Sequence, residues 1–147
     1  MNMSIGFCYL QLIGITYVIS VLMGAPLLTD ILQTLMFSIY IVLIGFTPII
    51  ISLKGNLHEI YNFLFQNEFY LIISTSKKFF YMRNLVWGTI IGAWLGAIPI
   101  PLDWDRWWQQ WPITCLVSST IGASCSIIIS YLWLWIRNRQ KYNEDIE

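Results

Sequence analysis

Charge is what this chain has least of. Only 11% of its 147 residues are Asp, Glu, Lys or Arg, against about 25% in a soluble domain, and so few cannot clothe an ordinary solvated surface. Eight basic and eight acidic residues cancel, which removes the basic footprint that a nucleic-acid partner requires. There is a single histidine, His58, and three scattered cysteines, Cys8, Cys115 and Cys125. These are too few for a zinc site of conventional ligands. Cys115 and Cys125 lie about 15 Å apart along one helix at 1.5 Å per residue, beyond disulfide reach, so the cysteines read as small buried hydrophobes. No metal or cofactor is expected. What is abundant is apolar: 57% of the chain is hydrophobic, which excludes disorder.

The few charges are also unevenly placed, with none between Leu85 and Leu102 and none between Ile113 and Ile136. A hydrocarbon core about 30 Å thick needs roughly 20 apolar helical residues, and four segments supply them: 3–23, 31–53, 85–102 and 113–136. Backbone polar groups in lipid must be satisfied within the segment, so these are expected to be helices. The expected fold class is therefore all-α, a polytopic integral membrane protein with about four transmembrane helices in one membrane domain. The third span ends at Pro99 and Pro101, and a break near Ile98 is expected because proline lacks a donor and disfavours a helical predecessor. The first segment has no positive n-region and a long apolar run, so it reads as a retained span and not a signal peptide.

With four spans, Lys54, Lys77, Lys78, Arg83, Arg137, Arg139 and Lys141 fall on one side and Arg106 alone on the other. The positive-inside rule then puts both termini and the 54–84 connection in the cytoplasm, and the 103–112 connection in the lumen or outside. The sequon Asn2-Met3-Ser4 would lie on the wrong side for glycosylation. Within 54–84, His58, Asn62 and Gln66 recur every four residues opposite Leu57, Ile60, Tyr61 and Leu64, the pattern of an amphipathic helix. It either lies on the membrane surface or packs on the ends of the spans. Lys77, Lys78 and Arg83 act first as topology signals and secondarily as an anionic-lipid contact.

Small residues mark two helix faces. Gly88, Gly92 and Gly96 recur at a spacing of four in the third span, with Ala93 and Ala97 beside them, and Ser118, Gly122, Ser126 and Ser130 answer in the fourth. Such residues let backbones approach closely, which is what holds helices together in lipid. The partner of this face is either the other span of this chain or a different membrane protein. The lumenal connection is crowded with aromatics: Pro99, Pro101, Asp103, Trp104, Asp105, Arg106, Trp107, Trp108, Trp111 and Pro112. Tryptophan is favoured at headgroup level, so an interfacial anchor is one reading. An Asp to Arg106 ion pair would tie the loop, although an exposed pair contributes little. A metal-binding role for Asp103-Trp104-Asp105 would need further oxygen ligands.

The run Gly92-Ala-Trp-Leu-Gly-Ala-Ile-Pro-Ile-Pro-Leu-Asp-Trp-Asp-Arg-Trp-Trp-Gln-Gln-Trp-Pro-Ile113 resembles the signature of the PIG-F family, phosphatidylinositol-glycan biosynthesis class F proteins. Weaker similarity extends upstream through Gly24-Ala-Pro-Leu and Leu32-Gln-Thr, and downstream to Trp133-Leu-Trp-Ile-Arg-Asn-Arg. Family members usually carry about two further amino-terminal spans, whose removal leaves the orientation unchanged, and Trp107 stands where relatives commonly have proline. The resemblance implies a multispanning protein of the endoplasmic reticulum membrane that binds and stabilises the GPI ethanolamine-phosphate transferases. Its partners would be those catalytic subunits and membrane lipid. The residue inventory agrees: phosphotransfer needs a nucleophile activated by a metal cluster, and the lumenal side outside the membrane offers Asp30, Asp103 and Asp105 but no His or Cys. The alternative is a small integral-membrane enzyme acting on a lipid or glycan through Asp103 and Asp105. A channel or transporter is disfavoured, because no span contains a charged residue of the kind that marks ion and substrate pathways.

Overall fold

The structure, a computed structural model, describes residues 3–26, 29–65, 76–102 and 106–144. All regular elements among the described residues are helical: α1 (Met3–Leu22), α2 (Ile31–Ile41), a π-helical segment (Val42–Phe46), α3 (Thr47–Ser52), α4 (Leu57–Phe65), α5 (Lys77–Gly96), a 3-10 turn (Trp107–Gln109) and α6 (Ile113–Glu144). Among the described residues three stretches are long and apolar enough to cross a membrane: Ile5–Leu22, Ile31–Ser52 and Ile113–Gln140. The chain is an all-α membrane protein.

The second stretch is not one uniform α-helix. Pro48 stands at its interior, where proline cannot donate to the carbonyl four residues earlier and its ring crowds that turn. The chain widens into the π segment just ahead of it, a common way to absorb such a defect. Within that segment Gly45 faces Thr89 of α5 so closely that an added Cβ would stand 3.3 Å from the threonine side chain. Phe37, Ile41, Val42, Phe46, Ile49 and Ile50 from this stretch form the middle of the core. Cys8 and Leu12 of α1, Ile60 and Leu64 of α4, Val86 of α5 and Cys115 of α6 pack around them. The Tyr9 hydroxyl donates to Thr47 Oγ1 at 3.1 Å, pinning α1 to α3.

Four buried hydroxyls find partners nearby, as polar groups in lipid tend to. Ser20, Ser38, Thr89 and Ser130 each donate to the carbonyl four residues back, at 2.6 to 2.8 Å. Such groups cost little inside a span.

Several expectations need correcting. The third apolar run is part of a longer helix: α5 begins at Lys77, eight residues before Leu85, and stops at Gly96, two residues before Ile98. Charges lower the hydropathy of its first turns without opposing helix formation, and Phe80 and Met82 there are buried, with Phe80 stacked on Trp133 at 5.1 Å. After Gly96 the chain proceeds by successive turns, with Ile98, Ile100 and Leu102 N–H groups donating three residues back at 3.2 Å; Pro99 and Pro101 between them have no N–H to give. The amphipathic helix exists as α4, entered through Lys54 and Gly55 at φ 52 and 75, a left-handed corner that suits glycine. Its Ile60 and Leu64 are buried and His58 bonds Asn62 outside at 3.2 Å, but Tyr61 is 60% exposed and not part of the buried face. Gln66 lies outside the described residues. Finally, Cys8 and Cys115 are buried, whereas Cys125 is exposed on the outer side of α6.

Candidate functional site: a glycine-packed helix pair and its clamped loop

Helices α5 and α6 run antiparallel in backbone contact. A Cβ added to Gly92 would stand 2.5 Å from the Ser118 carbonyl oxygen and 3.1 Å from Gly122 Cα. One added to Gly96 would meet the Thr114 carbonyl at 2.6 Å and Ser118 Cβ at 2.8 Å, and one at Gly88 would collide with the Ser126 side chain and the Gly122 carbonyl. Gly122 in turn has no room for a Cβ against Gly88 and Gly92. Gly88, Gly92, Gly96, Ser118, Gly122 and Ser126 therefore meet one another within this chain. Real Cβ atoms do not approach backbone this closely, so only glycine permits the spacing.

The seam continues one turn further than the glycine pattern shows. Asn84 donates to Ser130 Oγ at 2.7 Å, four residues before Gly88 on the same face. Asn84 went unnoticed because it is large and polar; its place in the 84, 88, 92, 96 series is the signal that could have found it.

The seam ends in the loop that links the two helices, and the side chain that shapes this loop is Gln109. It is buried to 8% exposure. Its amide nitrogen donates to the Pro99 carbonyl at 2.8 Å and to the Leu102 carbonyl, while its Oε1 accepts from the Arg106 backbone N–H at 2.9 Å. One side chain thus ties the exit from α5 to the entry into α6. Prolines at 99 and 101 make this useful, because a chain that lacks two N–H donors cannot hold itself by backbone bonding alone. Sequence reasoning passed over Gln109 because a glutamine beside tryptophans carries no spacing signal.

Trp111 anchors the loop to the rest of the bundle. Its indole N–H donates to Thr34 Oγ1 at 3.1 Å, and its ring lies 5.1 Å from that of Phe37. Pro99, Trp108 and Pro112 are half buried, while Pro101 and Arg106 are exposed. Trp107 presents 74% of its surface outward. Asp103, Trp104 and Asp105 lie outside the described residues. Among the described residues no group of three His, Cys, Asp or Glu comes together as a metal site.

An all-α membrane bundle with a tryptophan-rich loop clamped across one glycine-packed helix pair defines the class. The model of the GPI biosynthesis protein family Pig-F matches residues 2–131, and the chain belongs to that family. It is similar to the mouse protein named GPI ethanolamine phosphate transferase, stabilizing subunit, with 34% identity over 94% of this chain and 61% of that protein. The human protein of the same name is 36% identical over 88% of this chain and 57% of its own length. Glycosylphosphatidylinositol anchor biosynthesis protein 11 of Candida albicans is 41% identical over 78% of this chain and 43% of its own length. The chain therefore spans about two fifths to three fifths of the length of these relatives. No solved structure matches it.

Proposed function

We propose that this chain is a non-catalytic membrane subunit that binds and stabilises a GPI ethanolamine-phosphate transferase. The observation that carries the reading is the similarity, over nearly the whole chain, to proteins named as the stabilizing subunit of that transferase. The loop geometry supports it. Clamping by Gln109 and anchoring by Trp111 present a preformed surface with Trp107 outward, and preformed Trp and Arg side chains are the usual centres of binding energy.

The protein belongs in the endoplasmic reticulum membrane with four spans and both termini in the cytoplasm. In this reading α5 is the third span in chain order, added to the three apolar stretches: its 20 residues reach about 30 Å at 1.5 Å per residue. Lys77, Lys78 and Arg83 mark its cytoplasmic end, by the positive-inside rule. The 99–112 loop then faces the lumen.

Affinity purification of the tagged chain in mild detergent, with identification of what co-elutes, tests the proposal. A large phosphoethanolamine transferase is the expected companion. An active chain purified alone would overturn the reading and favour an enzyme acting through Asp103 and Asp105.

A further inference from the structure

The seam between α5 and α6 ends, at the side away from the tryptophan loop, in positive charge. Asn84 meets Ser130 at 2.7 Å, and one turn further out the ring of Phe80 stacks on that of Trp133 at 5.1 Å. The next turn on these same two faces carries Lys77, three residues before Phe80 on α5, and Arg137, four residues after Trp133 on α6. The antiparallel register thus brings a lysine and an arginine to one level of the seam. Lys78 and Arg139 stand beside them on the same two turns, and all four side chains are exposed.

Like charges facing each other between two packed elements are unfavourable unless an anion bridges them. No described side chain of this protein does so. Neither helix carries an acid before Glu144, which lies about 10 Å beyond Arg137 at 1.5 Å per residue. Of the acid side chains that are described, Asp30 precedes α2 at the opposite end, where Thr34 holds Trp111. The other, Glu59, accepts from Asn56 at 3.0 Å. Among the described residues Lys77 and Lys78 form no ion pair or hydrogen bond, and Arg137 and Arg139 contact the rings of Trp133 and Trp135.

Depth selects the anion. The uncharged run from Ile113 to Ile136 rises about 36 Å at 1.5 Å per residue, a little more than a hydrocarbon core of about 30 Å. Arg137, the first charge after it, therefore stands in the headgroup layer, where lipid phosphates are the concentrated anion. This level follows from α6 alone and does not depend on the orientation or the partner proposed above. A guanidinium fork and a neighbouring ammonium are the usual ligands of a phosphate. We propose that Lys77 and Arg137 together bind the phosphate of one anionic phospholipid headgroup, with Lys78 and Arg139 at its rim. An acidic segment of another protein is the weaker occupant, because it would have to lie within the headgroup layer and displace lipid phosphates that are present there in excess.

Native mass spectrometry of the full chain, purified in mild detergent with whatever it carries, tests the site. The probes are dioleoylphosphatidic acid, dioleoylphosphatidylcholine and inorganic phosphate. One phosphatidic acid per chain should be retained, about tenfold more readily than phosphatidylcholine, and inorganic phosphate should not compete. Lys77→Gln and Arg137→Gln should each lower retention about tenfold, the loss of one charge-assisted hydrogen bond. Lys54→Gln removes the same charge at the corner between α3 and α4 and should leave retention unchanged. Phosphatidic acid should also raise the melting temperature of the parent chain and not that of Lys77→Gln. Without lipid, Lys77→Gln should melt no lower than the parent, since it relieves a repulsion. Equal retention of the two lipids, unchanged retention in both seam variants, or an equal loss in Lys54→Gln would overturn the site. So would displacement of the lipid by free phosphate, a lower melting temperature of lipid-free Lys77→Gln, or loss of a co-purified protein in place of lipid in the two seam variants.

Discussion

Gln109 shows how much of a loop can hang on one neutral side chain. It satisfies two carbonyls and one backbone N–H where prolines have removed the usual donors. Gln109→Ala should destabilise the loop by about 1–3 kcal/mol, the cost of leaving such groups unpaired. Limited proteolysis between residues 99 and 111 should become faster while the helical signal is unchanged. Trp111 makes a cleaner measurement possible, because its ring packing and its hydrogen bond separate. Trp111→Phe keeps the ring beside Phe37 but loses the donor to Thr34, so about 1 kcal/mol should be lost, visible as a lower melting temperature. At the same scale, the docking and enzyme readings diverge at Asp103, Trp104, Asp105 and Trp108. Trp104→Ala and Trp108→Ala should lower the abundance of the partner, since binding energy concentrates in such rings. Asp103→Asn and Asp105→Asn should leave activity per partner molecule unchanged. Measuring both quantities in all four variants decides between the readings.

Among the helices, the α5–α6 pair is held by contact between backbones, so its tolerance to substitution should be sharply position-dependent. Gly92→Ala already drives a Cβ into the Ser118 carbonyl and Gly122, and Gly92→Leu more so. Either should reduce the amount of folded protein recovered from membranes. Gly14 of α1 is the matched control, because nothing lies within 4 Å of where its Cβ would be. Gly14→Ala should be neutral or gain up to about 1 kcal/mol from helix propensity. Equal recovery of Gly14→Ala and Gly92→Ala would remove the close-packing argument. The π segment before Pro48 makes a related point. A span can carry proline when neighbouring turns adjust, and here the adjustment also brings Gly45 against Thr89.

For the whole molecule, the seven-to-one distribution of Lys and Arg fixes the expected orientation. A cysteine placed at exposed Gln110, in a variant lacking the exposed native Cys125, should be protected from a membrane-impermeant reagent added to sealed microsomes and labelled once they are opened. Labelling without permeabilisation would reverse the topology. Helix α6 has 32 residues, about 48 Å at 1.5 Å per residue, well beyond a hydrocarbon core of about 30 Å. Its distal turns must therefore leave the membrane. There Arg137 lies 5.4 Å from the Trp133 ring and Arg139 4.8 Å from Trp135, cation–π pairs suited to the boundary between lipid and water.

The sequence by itself determined the solvent and the helical class of the fold. Long uncharged runs leave the backbone no partner but itself in lipid, and no tertiary contact is needed to draw that conclusion. It also determined which helix face carries small residues, because a spacing of four is local. What occupies that face was left open, and the structure brings Gly88, Gly92 and Gly96 of α5 against Ser118, Gly122 and Ser126 of α6. Only the tertiary structure decided where α5 begins: hydropathy responds to Lys77, Lys78 and Arg83, whereas the helix responds to the burial of Phe80 and Met82. The same holds for Gln109 with Pro99, and for Trp111 with Thr34, 77 positions apart. A hydrogen bond between residues far apart in sequence leaves no periodicity behind, so packing alone reveals it.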